Sequence, residues 1–249
     1  MDLATFFRMH NKIALAFSGG VDSAYLLQAA IANGAQVKAY YVKTPFQPEF
    51  ELEDARRLAR ELNADLQILP VDILREDAVR ANPKNRCYFC KKKLFSAILQ
   101  AAKQDGFTTV IDGTNASDDA ADRPGMQALE EMNVLSPLRL CGLTKATVRK
   151  LSKEAGLFTH NKPAYACLAT RIPTGTPITL EALVRTQWAE DCLRNLGFSD
   201  FRVRLIGNAA KLQIRSNQIP LLLQHREHIL TTLKEKYTDV LLDLEVRDE

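Results

Sequence analysis

Residues 13–23 read IALAFSGGVDS, an apolar run followed by a glycine turn. The run Ile13–Phe17 is typical of a strand that is buried on both faces of a sheet. In the turn, glycines leave backbone amides unshielded by Cβ atoms, and Asp22 and Ser23 then begin a predicted helix. Free N–H groups and the helix dipole both favour negative charge at such a helix N-terminus. The stretch therefore predicts an anion site, the alternative being an ordinary βα turn that contains two glycines.

Strand-like apolar runs alternate with helical patterns through the first two thirds of the chain. After the first strand, strands are predicted over 36–42, 66–71 and 108–112, with helices over 51–62 and 91–104. This βαβα order predicts an α/β fold, a doubly wound parallel sheet with helices on both faces. Ligands of such sheets bind beyond the carboxyl ends of the strands. The glycine turn and Asp112 are both expected at that edge.

A composition change near residues 173–177, which read PTGTP, predicts a domain boundary. Beyond it, the patterns predict a helix, a two-stranded hairpin, a helix and a last strand, over 180–196, 201–206, 211–215, 218–237 and 240–246. We therefore predict an α/β domain over 1–172 and a smaller α+β domain over 173–249. The second domain is small for a separate core, so we expect it to pack on the first domain or on another subunit.

The composition is that of a soluble globular protein, with 46% hydrophobic and 25% charged residues and a net charge of +3. A dedicated nucleic-acid surface would be more basic, and no apolar run approaches the roughly 20 residues of a membrane span. The N-terminus lacks the pattern of a signal peptide. Five cysteines fit a reducing compartment better than a disulfide framework. These features predict a cytoplasmic protein with neither a nucleic-acid nor a membrane partner.

Three of the cysteines have suggestive contexts. Cys87 and Cys90 form a CxxC pair just before the helix predicted to begin at Lys91, and Cys167 lies in the segment KPAYACLATR over 162–171. A CxxC pair serves zinc, redox exchange or an iron–sulfur cluster, or is incidental, and structural zinc usually takes four protein ligands. Three thiolates suit a cluster with one iron not held by the protein. The remaining two, Cys141 and Cys192, are interpreted as buried thiols.

The SGGVDS segment resembles the PP-loop of ATP pyrophosphatases, which cleave ATP between the α and β phosphates. It is not a Walker P-loop, because the chain contains no GxxxxGK[ST] segment. The resemblance implies that a substrate oxygen attacks the α-phosphate and that pyrophosphate leaves. It also implies that ATP, with Mg²⁺, is bound by Ser18, Gly19, Gly20, Asp22 and Ser23. Asp22 would either order the loop or meet Mg²⁺.

Nearly end to end, the chain resembles the LarE family, ATP-dependent sulfur transferases in the biosynthesis of the nickel-pincer cofactor of lactate racemase. The matching segments, beside SGGVDS, are NRCYFCK at 85–91, DGTNASDD at 112–119, DRPG at 122–125, SPL at 136–138, ACLATRIPTG at 166–175 and FRVR at 201–204. The resemblance implies a pyridinium mononucleotide substrate with two carboxylic acids. ATP would activate one carboxylate as an acyl-adenylate, and sulfur would displace AMP to give a thiocarboxylate.

The family has two branches with different sulfur donors. In one, a single cysteine at the position of Cys167 gives up its own sulfur and becomes dehydroalanine. In the other, three cysteines hold a [4Fe–4S] cluster that carries an extra sulfide. Because the chain has cysteines at 87, 90 and 167, it resembles the second branch, and Cys87, Cys90 and Cys167 are the predicted cluster ligands and catalytic residues.

Further residues take roles from the same resemblance. Lys91 matches a lysine near the phosphates or the bound nucleotide substrate, its alternative being a solvated first-turn lysine. Arg202 and Arg204 match arginines that bind the substrate phosphate, which guanidinium groups suit, and they share one face of a strand. Glu190 matches a divalent-metal ligand, but Gln213 stands where a second acidic ligand is expected.

The resemblance also implies a nucleotide edge and an assembly. Asp112, Asp118, Asp119, Asp122 and Arg123 are expected to line the nucleotide edge, and the family implies a homohexamer. The alternatives are a tRNA thiolase, an amidating synthetase of the NAD or GMP type, and a nucleotide-binding or zinc-stabilised scaffold. The first needs a tRNA surface and the second a source of ammonia, and the third predicts ATP binding without pyrophosphate release.

Overall fold

A computed structural model gives the structure of residues 1–118 and 123–247. The chain forms two compact units, one from residues 1–73 and 85–162, the other from 74–84 and from Pro163 onwards. The units do not coincide with the ranges 1–172 and 173–249, which stay a prediction about domains. One reason is that the Asn82 side chain donates hydrogen bonds to the carbonyl oxygens of Pro173 (2.8 Å) and Thr176 (3.1 Å).

The first unit contains a four-stranded sheet in which every pair of neighbours is parallel. Its strands are β1 (Lys12–Ala16), β2 (Gln36–Lys43), β3 (Asp65–Pro70) and β4 (Thr109–Ile111), in the order β3-β2-β1-β4. The predicted parallel sheet is confirmed. The order reverses between β1 and β4, and such a switch point opens a crevice at the carboxyl ends of the strands.

Helices cover both faces of this sheet. They are α1 (Leu3–Met9), α2 (Val21–Ala32), α3 (Glu49–Glu61), α5 (Arg86–Gln104), α6 (Arg123–Glu131), α7 (Pro137–Leu140) and α8 (Lys145–Glu154), with 3-10 turns at Ile73–Arg75 and Phe158–Asn161. Within β1, Ile13 and Leu15 pack with Leu26 of α2 and Leu58 of α3. Ala14, on the other face, packs with residues of α5 and α6. Both faces of β1 are buried, which is why its sequence is a continuous apolar run.

The second unit contains a smaller mixed sheet. Its elements are α4 (Asp77–Arg80), α9 (Leu180–Asn195), β5 (Arg202–Ile206), β6 (Ala209–Gln213), α10 (Ile219–Gln224), α11 (Arg226–Leu233) and β7 (Val240–Leu242), with 3-10 turns at Leu168–Arg171 and Ser216–Gln218. Strand β6 pairs antiparallel with β5 and parallel with β7. The predicted α/β class with a smaller α+β part is therefore confirmed.

Several boundaries in the second unit differ from the sequence prediction. Strand β6, predicted over 211–215, lies two residues earlier, at Ala209–Gln213. The helix predicted over 218–237 is divided at His225, whose backbone (φ −100°, ψ 11°) departs from helical geometry. The last strand ends at Leu242, four residues earlier than predicted over 240–246, because β7 pairs with β6 only over Val240–Leu242. Within the two described ranges, no helix is both long and apolar enough to cross a membrane.

Candidate active site

The glycine turn after β1 has a conformation that requires glycine. Gly19 has φ +72°, in the left-handed region that L side chains rarely adopt. A Cβ atom on Gly19 would lie 3.1 Å from the Cβ atom of Ala55 in α3. Both the backbone angle and the limited space therefore disfavour a side chain here. The turn passes directly over α3 on its way into α2.

Two serine hydroxyls brace this turn. The Ser18 N–H donates to Ser23 Oγ at 3.2 Å, and the two serine Oγ atoms are 3.1 Å apart. The Gly20 N–H donates to Ser18 Oγ at 3.3 Å. Gly20 is also the N-cap of α2 and has no side chain with which to accept the first N–H groups of the helix. The N-terminus of α2 is thus prepared for an external anion.

Asp22, in the first turn of α2, is held by residues that follow β4. Lys145 Nζ forms an ion pair with the Asp22 carboxylate, and Asn115 Nδ2 donates to Asp22 Oδ1 at 3.4 Å. Lys145 was not predicted from the sequence as a residue of this site. A signal was available, because Lys145 is the first residue of α8, where the helix dipole disfavours a cation. A lysine at this position indicates that an anionic partner lies nearby.

Lys162 also approaches the glycine turn and was not identified from sequence. Its ammonium group lies 2.7 Å from Asp54 Oδ2 of α3 and donates to the Gly19 carbonyl oxygen at 3.4 Å. Arg149 fixes the backbone here by donating to the carbonyl oxygens of His160 (2.8 Å) and Lys162 (2.9 Å). Two lysines thus flank the turn within the first unit.

Asp112 follows β4 at the switch point, as predicted. Its carboxylate accepts from Ser136 Oγ at 2.6 Å and from Thr114 Oγ1 at 2.5 Å. Burial raises the pKa of Asp112, while these hydrogen bonds and the positive charge of Lys91 oppose the increase. Asp112 is therefore a buried carboxyl group that holds its proton more tightly than an exposed one.

The residue after Asp112 sets the distance between β4 and α2. A Cβ atom on Gly113 would lie 2.9 Å from the backbone N and 3.2 Å from the Cα of Ser23. Only a glycine permits this approach of two backbone segments. The loop then closes with the Asn115 N–H donating to Asp118 Oδ2 at 2.7 Å. Of the other residues predicted to line the nucleotide edge, Asp119 and Asp122 lie outside the described residues, and Arg123 begins α6.

The CxxC pair lies inside a helix. Helix α5 begins at Arg86, so the prediction that it starts at Lys91 was wrong. Cys87 and Cys90, three residues apart in the first turns, share one helix face and are both half-buried. The Arg86 guanidinium group donates to the Cys87 sulfur, with 4.0 Å between Nη2 and Sγ. The CxxC pair is therefore held at helical spacing in the first unit.

Contacts to α6 anchor this end of α5. Tyr88, between the two cysteines, donates from its hydroxyl to Glu131 Oε2 at 2.8 Å. Lys92 Nζ donates to the same carboxylate oxygen at 2.9 Å. These bonds, together with the apolar contact between the two helices, hold the first turns of α5 in place.

In the second unit, Cys167 immediately precedes the 3-10 turn Leu168–Arg171. Its carbonyl oxygen accepts from the N–H and the Oγ1 of Thr170, both at 2.9 Å. Arg171 Nη1 donates to the Ala166 carbonyl oxygen at 2.8 Å and to Thr170 Oγ1 at 2.9 Å. The half-buried Cys167 thus lies in a short turn that Arg171 fastens on both sides.

Arg171 forms a buried ion pair with Glu190 of α9. Its Nε lies 2.7 Å from Glu190 Oε1, and the two side chains are 0% and 1% exposed. Glu190 Oε1 also accepts from the Val203 N–H at 3.1 Å, and Oε2 accepts from Arg171 Nη2 at 3.2 Å and from Tyr165 Oη at 2.5 Å. Four protein donors therefore surround the carboxylate predicted to bind a metal.

Arg202 and Arg204 lie on the same face of β5. Arg204 donates to the Thr170 carbonyl oxygen (2.9 Å) and to Gln213 Oε1 (2.5 Å). The side chain of Arg202 donates no hydrogen bond to any residue of the described chain. Burial first, and then the charges of Arg247, Arg171 and Arg204, lower the pKa of Arg202 to about 10. This accumulation of half-buried positive charge suits an anionic ligand.

Within each unit, the described residues include no group of three or more His, Cys, Asp or Glu side chains that could hold a metal ion. Cys141 and Cys192, predicted to be buried thiols, are both half-buried. Cys141 packs against the apolar core of the first unit, and burial raises its pKa. Burial likewise raises the pKa of the Cys192 thiol on α9.

Residues 12–87 match the family model described as "Queuosine biosynthesis protein QueC". The matched range runs from β1 through the glycine turn to Cys87. It therefore covers the sheet strands β1 to β3 and the N-terminus of α2, where the candidate anion site lies.

Three other proteins match longer parts of the chain. An uncharacterized protein of Synechocystis sp. is 36% identical over 98% of this chain and 92% of its own length. The pyridinium-3,5-bisthiocarboxylic acid mononucleotide synthase of Lactiplantibacillus plantarum is 32% identical over 84% of this chain and 76% of its own length. A tRNA-specific 2-thiouridylase MnmA of Thermotoga sp. is 26% identical over 61% of this chain and 54% of its own length.

Proposed function

The chain belongs to the LarE family, and we propose on that premise that it is an ATP-dependent sulfur transferase acting on a pyridinium carboxylic acid mononucleotide. The observation that carries the proposal is the braced glycine turn before α2, with Gly20 as the cap of the helix. Such a turn suits the pyrophosphate part of ATP. The name of the Lactiplantibacillus plantarum relative supplies the substrate class.

The first step would be adenylation of a substrate carboxylate. A carboxylate oxygen forms a bond to the α-phosphorus of ATP, and the bond from that phosphorus to the α–β bridging oxygen breaks. Pyrophosphate leaves with the electron pair of that bond. The N–H groups at the start of α2 and the Lys145 ammonium group would stabilise its charge. Asp22 would hold Mg²⁺, which supplies further charge neutralisation when bound.

The second step would replace AMP by sulfur. A sulfur nucleophile forms a bond to the acyl carbon, the bond from that carbon to the AMP oxygen breaks, and AMP leaves. Arg202 and Arg204 would bind the phosphate of the mononucleotide, because guanidinium groups suit phosphate and both residues lie on one face of β5. Burial, and then the positive charges of Arg171 and Arg247, lower the pKa of both arginines. Lys91, whose charge acts on Asp112, would lie near the nucleotide.

Two sulfur donors are compatible with these residues. We propose that Cys87, Cys90 and Cys167 hold a [4Fe–4S] cluster, which would supply a labile sulfide when bound. The half-buried pair on one face of α5 suits soft thiolate ligation. In the alternative, Cys167 attacks the acyl-adenylate to give a thioester. A base then removes its Cα proton, the Cβ–S bond breaks, and the products are a thiocarboxylate and dehydroalanine.

Anaerobic iron and sulfide quantification with an optical spectrum separates these donors. The wild type is expected to bind iron and sulfide, and Cys90→Ala is expected to lose the cluster absorbance and multiple turnover while retaining ATP binding. Cys192→Ala is the matched control, because that thiol lies on α9 and has no proposed role. Zinc without iron in the wild type, or several thiocarboxylates per subunit from Cys90→Ala, would contradict three-cysteine ligation. If the residue at position 167 lost the mass of H₂S after turnover, Cys167 would have become dehydroalanine and would itself be the sulfur donor.

The similarity to a tRNA-specific 2-thiouridylase supports a second candidate, tRNA thiolation. That function requires a salt-dependent complex with tRNA. We propose instead that the chain has no nucleic-acid partner and acts in the cytoplasm as a homohexamer. A gel shift with bulk tRNA at two salt concentrations tests whether the protein binds nucleic acid, and light scattering of purified protein tests whether it forms a hexamer. A tRNA complex that weakens with salt would favour the alternative.

A further inference from the structure

The surroundings of Glu190 do not fit a metal ion. A carboxylate has about four lone-pair directions, and four donors already occupy Glu190: Nε and Nη2 of Arg171, the Tyr165 hydroxyl and the Val203 N–H. A metal ion would have to displace one of these donors. The displaced group would be left unpaired in a site that is 1% exposed, which is strongly unfavourable. Gln213, at the other expected ligand position, is engaged by Arg204 and Asp243.

We propose that Glu190 and Arg171 are positioning residues that hold Cys167 in a fixed place relative to the arginine-bearing strand β5. The inference rests on the proposed function, because it concerns how a sulfur donor and a phosphate-binding strand are kept in register. In this proposal, Glu190 does not bind a metal ion but holds two segments of the chain in place. Neither residue is required to touch the substrate.

Arg171 acts on the cysteine side of this arrangement. Its guanidinium group bonds to Ala166, immediately before Cys167, and to Thr170, three residues after it. The same group lies over the Tyr165 ring, 4.6 Å from the ring centroid. The turn that carries the Cys167 thiol is therefore held from both ends by one buried cation.

Glu190 acts on the strand side. Its Oε1 accepts from the backbone N–H of Val203, the residue between Arg202 and Arg204. Because Arg171 Nε donates to that same oxygen, the carboxylate links the cysteine turn to β5. Arg204 makes a second, independent link through the Thr170 carbonyl oxygen. Two connections between the same segments restrict both their separation and their relative rotation.

A buried ion pair is poor evidence of stabilisation, because desolvation offsets most of its Coulomb attraction. Its better attested use is to specify one arrangement over others, since a shifted register leaves a buried charge unpaired. The Arg171–Glu190 pair is placed where one arrangement matters for the proposed chemistry. Tyr165, which donates to Glu190 Oε2 through a neutral hydroxyl, belongs to the same network.

The test uses the whole chain, from which a chelator has removed any bound iron, and measures the rate at which iodoacetamide alkylates each cysteine, read by mass spectrometry. Glu190→Gln is expected to raise the alkylation rate of Cys167 about tenfold through local opening of its turn, with Cys192 as the internal reference. ATP binding, which depends on the first unit, is expected to stay unchanged. Asp191→Asn is the matched control, because its carboxylate is partly exposed and pairs with Arg194.

A second variant keeps the test decisive if Glu190→Gln does not fold. Tyr165→Phe removes one donor and is expected to raise the Cys167 rate by a smaller factor of about two to five. Unchanged Cys167 alkylation in the folded variants would overturn the proposal, as would Co²⁺ binding by the wild type that is lost in Glu190→Gln. These readouts need no sulfur transfer, so a failure of the proposed function would leave them intact.

Discussion

Lys145 forms an ion pair with Asp22, although 123 residues separate them in the sequence. The pair joins the start of α8 to the first turn of α2, where the proposed pyrophosphate site lies. A cation at this position offsets the Asp22 carboxylate, which would otherwise repel an incoming triphosphate. Lys145 is therefore central to the electrostatics of the glycine turn.

Lys145→Met is expected to weaken ATP and pyrophosphate binding about 10- to 100-fold, which corresponds to the roughly 1.5–3 kcal/mol of a hydrogen bond to a charged group. Isothermal titration with ATP measures this effect. Lys150→Met is the control, because Lys150 lies on the same helix with a side chain that is 77% exposed. Equal affinities for the two variants would show that Lys145 serves the fold and not the nucleotide.

Gly113→Ala is expected to lower the stability of the first unit by about 1–3 kcal/mol, because the new Cβ atom would press on the Ser23 backbone. ATP affinity should fall as well, since Ser23 belongs to the braced turn. Thermal unfolding and ATP titration measure the two effects. In Gly142→Ala, where no atom lies within 4 Å but φ is +71°, only stability should fall. If Gly113→Ala bound ATP as tightly as the wild type, the close approach at Gly113 would not affect the ATP site.

Asp112→Asn is expected to change how stability depends on pH. Because burial raises the pKa of Asp112 above 3.8 in the folded state, the folded protein binds this proton more tightly than the unfolded chain does. The wild type should therefore lose stability as pH rises from about 3.8 through the raised folded value. Urea unfolding at several pH values should show a shallower loss in Asp112→Asn. Asp65→Asn, which alters a carboxylate that is 66% exposed, is the control. If the free energy of unfolding depended on pH in the same way in the wild type and in Asp112→Asn, the raised pKa of Asp112 would be refuted.

Arg202→Gln is expected to weaken binding of a pyridine mononucleotide about 10- to 100-fold, because charge-assisted hydrogen bonds to phosphate contribute about 1.5–3 kcal/mol. The loss should shrink at high salt, which screens partly exposed charges. Fluorescence or calorimetric titration at two salt concentrations measures both. Arg226→Gln, at a position paired with Glu227 and 60% exposed, controls for net charge. Equal losses in the two variants would mean that Arg202 acts only through the overall charge of the protein.

Much of the first unit follows from local sequence. The apolar run of β1 is continuous because both faces of the strand are covered, and Gly19 is glycine because its φ is positive. The smaller sheet was predicted from the alternation around residues 201–215. The start of α5 was missed, because the pair Cys87 and Cys90 was placed just before the helix, whereas both residues lie within its first turns.

The site was less predictable than the fold. The sequence suggested Ser18, Asp22 and Asp112, since each follows a strand or begins a helix. It did not suggest Lys145 or Lys162, whose partners lie more than a hundred residues away. The family resemblance implied a metal role for Glu190, and nothing in the local sequence shows which donors surround this carboxylate after folding.

Sequence alone determined the positions of the strands along the chain, the position of the glycine turn and the identity of the thiols. These depend on hydrophobic periodicity and backbone freedom, which neighbouring residues encode. Only the tertiary structure decided that Lys145 meets Asp22 and that Arg171 and Val203 enclose Glu190. Such pairings depend on how distant segments pack and on which buried charges must be compensated, and no local pattern contains that information.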